Sequence, residues 1–375
     1  MRNRIAIFRP DSNYIDTNYY NSQEVGLAKA LAQNGFDIDI FMSGRSKTIT
    51  EKNIVFESYG TVNVYELPFI LIPEIDHAIY PDLINILRKN NYKLIQVNES
   101  NELSCYWVSR YASKNNIPCI VYQGMYHPIT GRLRSLFQRV FNKTLLPNFI
   151  KYTTIAVGKT TSAENYLKRL GFKHTTVLPV GIDTNAFDHS CEKNWRNDYD
   201  IPTNHKILLY VGVFEKRRNI NFLLDIARRL ESHKYTLLLA GDGDEFNLIK
   251  NKVQNENYVN VRILGKVAQK FLRSLYEISD FFLLASNYEI YGMVVLEALY
   301  FGCPVISTKT AGPNDMIIND FNGYLIHDLN VNKWVDTIKD HSTKLNRKSI
   351  RTYVIENLTW NIIAKKYIEM FINDA

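Results

Sequence analysis

Long hydrophobic runs are missing from this chain of 375 residues. No stretch of roughly 18 or more apolar residues occurs, which excludes an ordinary membrane-spanning helix. The opening MRNRIAIFRPDSN lacks the succession of charged, apolar and small residues that marks a cleaved leader, and reads as the start of a strand. The expected location is the cytoplasm. Cysteine is sparse: Cys105, Cys119, Cys191 and Cys303 form no CxxC pair, which argues against a disulfide scaffold or a thiolate metal site. Cys119 and Cys303 stand in apolar surroundings and read as reduced packing residues. Internal repeats, low-complexity tracts and a nucleic-acid recognition motif are also absent, which excludes a solenoid and argues against a nucleic-acid partner.

What is present fits a soluble protein of two domains. Hydrophobic residues make up 46% and aromatics 13%, enough for a core in each. The net charge of +7 is compatible with several anionic partners, so its distribution matters more than its sum. Between Arg132 and Lys173 nine basic residues face one acid, Glu164.

Apolar strand-like runs alternate with helical patterns, which predicts an α/β fold of parallel sheets with crossover helices. The first half offers strands at Arg4 to Phe8, Phe36 to Met42, Leu94 to Val97, Cys119 to Tyr122, Thr154 to Val157 and Thr176 to Pro179, with a helix from Ser22 to Gln33. The second repeats the scheme from Ile207 to Gly212 onward, through Thr236 to Gly241 and Val259 to Leu264. Domains of 1–185 and 186–359 follow, joined within the polar stretch Asp183 to Pro202. The amphipathic tail 360–375 is expected to cross back to the first.

The segment Ser286 to Val305 carries the most chemistry. Phe281 to Ala285 reads as a buried strand, Ser286 to Gly292 as a loop and Met293 to Phe301 as a helix. Glu289 and Glu297 stand eight positions apart across its entrance, a span of roughly 12 Å along a helix. That is about the separation of the ribose and the sugar of a nucleotide sugar, and each carboxylate can accept hydrogen bonds from adjacent hydroxyls. The amides of Tyr291, Gly292, Met293 and Val294 would face the diphosphate between them. As ordinary residues, Glu289 would cap the helix and Glu297 would sit on a solvated face. However, Glu297 lies between Leu296 and Ala298 in an apolar helix, where a carboxylate needs a partner.

These residues resemble a known family. Leu178-Pro179-Val180-Gly181-Ile182-Asp183 with Phe187, Leu239-Ala240-Gly241-Asp242-Gly243, Ile263-Leu264-Gly265, Glu289-Ile290-Tyr291-Gly292, Leu296-Glu297-Ala298-Leu299 and Asn322-Gly323-Tyr324-Leu325 follow the order and spacing of the retaining GT-B-fold glycosyltransferases of family 4, the glycosyl transferases group 1. The resemblance implies two Rossmann-like domains facing a central cleft. It also implies transfer of a hexose-type sugar from a UDP- or GDP-sugar, without a metal or other cofactor, to a glycan or lipid-linked acceptor in cell-surface polysaccharide or glycolipid synthesis. By the same resemblance Glu289 contacts the donor sugar, Glu297 the ribose, and the amides after Tyr291 the diphosphate. Gly212 and Gly265 border the nucleotide. Arg218 stands where the family usually has a lysine, while Val213 replaces a usual arginine whose charge Lys216 or Arg217 could supply.

The first half departs further. The family's glycine-rich loop is replaced by Asn18 to Glu24, NYYNSQE, with Gly26 only inside the helix, so Gln23 becomes the acceptor candidate. Near the end of the fourth strand, where the family often has an active-site histidine, stand Gln123 and, a few residues on, His127. Asp242-Gly243-Asp244 has the form of a metal-binding DxD but equally that of a turn. The stretch 132–151 interleaves Leu133, Leu136, Phe137, Val140, Phe141, Leu145 and Leu146 with cations, and spacings of three and four predict one apolar face. This suits peripheral attachment to an anionic membrane surface, or an ordinary helix packed on its own domain. A sugar-nucleotide epimerase of the same fold and a non-catalytic partner subunit are the alternatives.

Overall fold

A computed structural model describes residues 3–14, 22–187, 191–341 and 345–373. The chain forms two compact units: Met1–Gly181 with Leu358–Ala375, and Ile182–Asn357. The change of unit falls inside the run Leu178 to Asp183, just ahead of the polar stretch that the sequence suggested as the joint, of which 188–190 lie outside the described residues.

Unit 1 is built on β1 (Arg4–Arg9), β2 (Asp37–Ser43), β3 (Thr50–Asn53), β4 (Val62–Leu67), β5 (Ile70–Ile72), β6 (His77–Ile79), β7 (Leu94–Asn98), β8 (Cys119–Gln123), β9 (Ile155–Gly158) and β10 (Thr175–Val177). Eight of these make one sheet in the order β10-β9-β8-β7-β1-β2-β4-β3, parallel except for the edge strand β3. β5 and β6 pair separately as an antiparallel hairpin. Ile5, Ala6, Ile7 and Phe8 are all fully buried, as expected of a parallel strand covered by helices on both faces. The segments from Thr50 to Ile79 were not foreseen as strands, because they are short, partly polar and near the sheet's exposed edge.

The helix Trp360–Ile368 belongs to unit 1 and packs on the helix Gln23–Gln33. Gly26 is what permits this: a Cβ there would lie 2.1 Å from the Trp360 indole nitrogen. A second glycine, Gly181, admits the backbone of Trp360, whose nitrogen would lie 2.6 Å from a Cβ there. The glycine inside the first helix thus seats the returning C-terminal helix.

Unit 2 is a fully parallel sheet of β11 (Lys206–Val211), β12 (Tyr235–Ala240), β13 (Val261–Gly265), β14 (Phe281–Leu284), β15 (Val305–Thr308) and β16 (Gly323–Ile326), in the order β13-β12-β11-β14-β15-β16. In both units the first strand has neighbours on opposite sides, β2 and β7 in one, β12 and β14 in the other. Such a reversal of strand order opens a crevice at the strands' carboxyl ends, where open α/β sheets bind ligands.

The stretch 132–151 folds as two helices, Arg132–Thr144 and Leu146–Tyr152. Its apolar residues divide rather than sharing one face. Phe141 and Leu146 belong to the core of unit 1 with Phe137 and Leu145 packed against it, whereas Leu133, Leu136 and Val140 are exposed by more than half. The exposed three recur at i, i+3 and i+7, and the packed Phe137 and Phe141 lie round the helix from them. Among the described residues no helix is long and apolar enough to cross a membrane.

Candidate functional site

At the carboxyl ends of β11 and β14 two loops are laced together. Asn219, in a left-handed conformation at φ 54°, donates through its side-chain amide to the Ala285 carbonyl at 2.7 Å and to Asn287 Oδ1 at 2.8 Å. The Asn287 amide returns a bond to the Arg217 carbonyl at 2.9 Å. This ties the basic loop after β11 to the segment carrying Glu289.

Both arginines then converge on that carboxylate. Arg218 is ion-paired with Glu289 through Nη1 and donates to Ser286 Oγ at 3.2 Å. Arg217 Nη1 lies 3.6 Å from Glu289 Oε1 and donates to the Tyr288 carbonyl at 2.7 Å. Glu215 approaches from the other side, 2.7 Å from Arg217 and 3.4 Å from Arg218. Glu289 is 5% exposed, so its charge is matched at short range rather than by water. Burial is the largest influence on Arg218 and pulls its pKa below the ordinary arginine value.

Beside this cluster starts the helix Met293–Tyr300. Gly292 stands at its N-cap with φ 84°, a left-handed conformation that a residue with a Cβ adopts only with strain. The amides of Val295 and Leu296 bond back to the Gly292 carbonyl, while those of Met293 and Val294 meet no backbone carbonyl among the described residues. One turn further on, Glu297 is wholly buried and accepts a hydrogen bond from the Tyr276 hydroxyl at 3.1 Å. That donor is part of the partner which a carboxylate in an apolar helix requires.

Thus Glu289, Arg218, Gly212 and the start of the helix at Tyr291 to Val294 share the crevice side of β11 and β14. Lys216 is exposed, and it is Arg217 that reaches Glu289. Gly265 ends β13, two strands from β11, away from the arginine–glutamate contact. Asn219 and Ser286 were not singled out from sequence; only the meeting of two loops some seventy positions apart reveals them. Asp242 and Asp244 are exposed, and Asp242 accepts the Gly243 amide within its own turn at 2.8 Å. Among the described residues no three His, Cys, Asp or Glu side chains stand together as a metal would need.

Unit 1 has its own polar cluster, at the ends of β1 and β7. Glu24, 3% exposed, accepts from Arg9 Nη1 at 2.6 Å and from Asn98 Nδ2 at 2.8 Å. Lys159, 9% exposed, donates to Gln23 Oε1 at 2.9 Å and lies over the Tyr122 ring at 5.1 Å. The Glu99 carboxylate takes the amides of Gly124 at 2.8 Å and Met125 at 3.2 Å. Burial alone would raise Glu24, but Arg9 and Lys159 outweigh it and hold its pKa below the ordinary carboxylate value. Burial raises Glu99 against the pull of Lys159, and burial lowers Lys159 against the pull of Glu24 and Glu99. Gln123 is fully buried and fixes the two loops, accepting the Ser100 amide at 2.8 Å and donating to the Met125 carbonyl at 3.1 Å. His127, beyond it, donates through Nδ1 to the Pro128 carbonyl at 2.9 Å.

Two family descriptions match the chain, one for each unit: Glycosyltransferase Family 4 over residues 25–186 and Glycosyl transferases group 1 over residues 192–355. The chain is similar to an uncharacterized glycosyltransferase of Methanocaldococcus jannaschii, 24% identical with 92% of each chain covered. Over 41% of its length it is 31% identical to alpha-monoglucosyldiacylglycerol synthase of Streptococcus pneumoniae, of which 37% is covered. An Anabaena protein solved in complex with UDP and glucose shares its fold, with a TM-score of 0.68 at 16% identity over 98% of this chain and 99% of that one.

Proposed function

Since this chain belongs to the GT-B glycosyltransferases of family 4, the glycosyl transferases group 1, we propose that it moves a hexose-type sugar from a UDP- or GDP-sugar to a glycan or lipid-linked acceptor in polysaccharide or glycolipid synthesis, with retention and without a metal. The observation that carries this reading is the convergence of Arg217 and Arg218 on Glu289 beside the helix N-terminus at Gly292. Guanidiniums and unpaired amides together suit a diphosphate, and a carboxylate next to them suits sugar hydroxyls. The fold shared with a protein solved with UDP and glucose supports the same class of donor.

In the proposed reaction the acceptor hydroxyl oxygen bonds to the anomeric carbon as the bond from that carbon to the diphosphate breaks on the same face. The electron pair leaves with the diphosphate, and the hydroxyl proton passes to the departing oxygen. The protein stabilises the charge that develops on the leaving group and aligns the two substrates. A bound diphosphate competes with Glu289 for Arg218 and Arg217, which releases the carboxylate to the sugar. Glu297 takes the ribose hydroxyls after turning from Tyr276, Gly212 and Gly265 flank the nucleotide, and Lys216 adds charge from the rim. Gln23 serves the acceptor, and His127 is assigned to catalysis.

Peripheral attachment at the inner face of the cell membrane fits the exposed Leu133, Leu136 and Val140 among Arg132, Arg139 and Lys143. The test is incubation of donor with octyl glycosides, with NMR of the product and with a chelator added. An α-product from an α-donor, unchanged by chelator, supports the reading. Isomerised donor without acceptor would establish the epimerase instead, and turnover restored only by Mn or Mg would sink metal independence.

A further inference from the structure

The polar cluster of unit 1 is larger than catalysis at Glu289 requires, and three of its neighbouring side chains are unusual. Among the described residues Ser22 Oγ, Ser100 Oγ and Asn101 Oδ1 are buried and meet no hydrogen-bond partner, in residues 7%, 1% and 7% exposed. Buried polar atoms are nearly always paired, so three orphans on adjoining segments ask for a ligand. Ser22 directly precedes Gln23 at the N-cap of the first helix, and Ser100 and Asn101 directly follow Glu99 after β7. The Gln23 oxygen is taken by Lys159, and its amide nitrogen donates to no described residue.

Among the described residues the carboxylates around these groups outnumber the cations, Glu24, Glu99 and Asp11 against Arg9 and Lys159. Arg9 faces Glu24 at 2.6 Å and Asp11 at 3.9 Å, while Lys159 is drawn by Glu24 and Glu99. No cation is left over. In unit 2, by contrast, Lys216, Arg217 and Arg218 exceed Glu215 and Glu289 by one charge beside a helix N-terminus. A phosphate or carboxylate entering the unit 1 cluster would have to displace a buried carboxylate from its cation and leave that carboxylate without its partner. Hydroxyls would only add hydrogen bonds to groups that lack them.

We propose that the acceptor's recognised part is a neutral, hydroxyl-bearing sugar ring, held at the β1/β7 crevice by Gln23, Ser100 and Asn101 within the charged frame of Arg9, Glu24, Glu99 and Lys159. This rests on the transferase reading and names its acceptor class. Gln23, Ser100 and Asn101 determine specificity; the frame positions them and repels anions.

The experiment uses the full chain with its donor and compares octyl hexosides with octyl glucuronides and hexose phosphates. The neutral glycoside is expected to exceed its acidic counterparts at least tenfold in kcat/KM. Gln23→Ala and Ser100→Ala are each expected to raise KM for the octyl hexoside several-fold, with the thermal shift by donor unchanged. Glu99→Gln removes the excess negative charge and narrows the preference, and Asp11→Asn does the same from a partly exposed position should the former fold poorly. An equal or greater use of acidic acceptors, or an unchanged KM in both Gln23→Ala and Ser100→Ala, overturns the proposal while a donor shift stands. If no donor shifts the protein, the transferase reading fails instead. Saturation-transfer NMR then reads this site directly: contact with octyl hexoside but not octyl glucuronide supports the neutral pocket, and the reverse overturns it.

Discussion

The two units place their charge at the same point of the same architecture, yet they use it differently. In unit 1 the crevice at β1 and β7 holds a buried ion pair, Arg9 with Glu24, and a buried Lys159 bonded to Gln23 near Glu24 and Glu99. In unit 2 the crevice at β11 and β14 holds one cation in excess once Lys216 is counted with Arg217 and Arg218, on loops tied together by Asn219 and Asn287. Topology therefore decides where a ligand sits, and the local charge balance decides whether an anion is welcome there.

The sharpest way to break this contrast is to remove the excess. Arg218→Ala should lower kcat/KM by about 10² to 10³, as for loss of one donor to developing charge, and Lys216→Ala by only a few-fold. Steady-state kinetics with a fixed acceptor checks both. Equal losses would mean that the rim lysine, not the buried arginine, meets the diphosphate.

Packing offers a second separation of the units. Gly26→Ala forces a methyl into the Trp360 indole and should cost about 1 to 3 kcal/mol, read by urea denaturation. The loss should vanish when Trp360 is also truncated, since the two changes share one contact.

Why these features differ in legibility is physical. Glu289 and Glu297 could be read from sequence because an apolar helix makes a carboxylate conspicuous and because the pair is local. Most strands of the parallel sheets were equally legible, since they are continuous apolar runs, whereas β4, with its alternating VNVYEL, was not. Arg9, Glu24, Asn98 and Lys159 are scattered across two strands, a helix and the bend after β9, and nothing local distinguishes them from surface polar residues. The faces of the helix Arg132–Thr144 were half legible: its period was plain, but which leucines and phenylalanines turned inward depended on the neighbouring core.

The unit 1 frame also predicts opposite responses to acid. Glu24 has a folded pKa below its unfolded one, so its contribution is present above the ordinary carboxylate value and is lost as pH falls through the lowered folded value. Glu99 is raised, so its contribution is present below that ordinary value and is lost as pH rises through the raised folded one. Glu24→Gln should flatten the acid loss of stability and Glu99→Gln should steepen it, measured as urea midpoints from pH 6 downward. Matching slopes would show that the pairs are not coupled as described.

The smallest effect concerns the membrane. Leu136→Glu should leave turnover of a soluble glycoside unchanged while weakening binding to vesicles rich in anionic lipid; wild-type indifference to lipid charge would remove the surface from the account.

The most direct measurement is thermal stabilisation by UDP-, GDP-, ADP- and dTDP-sugars, repeated with Glu297→Ala and Arg218→Ala, because a ligand bound to the native state raises the melting temperature by mass action. The account predicts a shift for one nucleotide class that both variants lose. No shift with any of the four, or a shift that survives both substitutions, would contradict a donor site at β11 and β14.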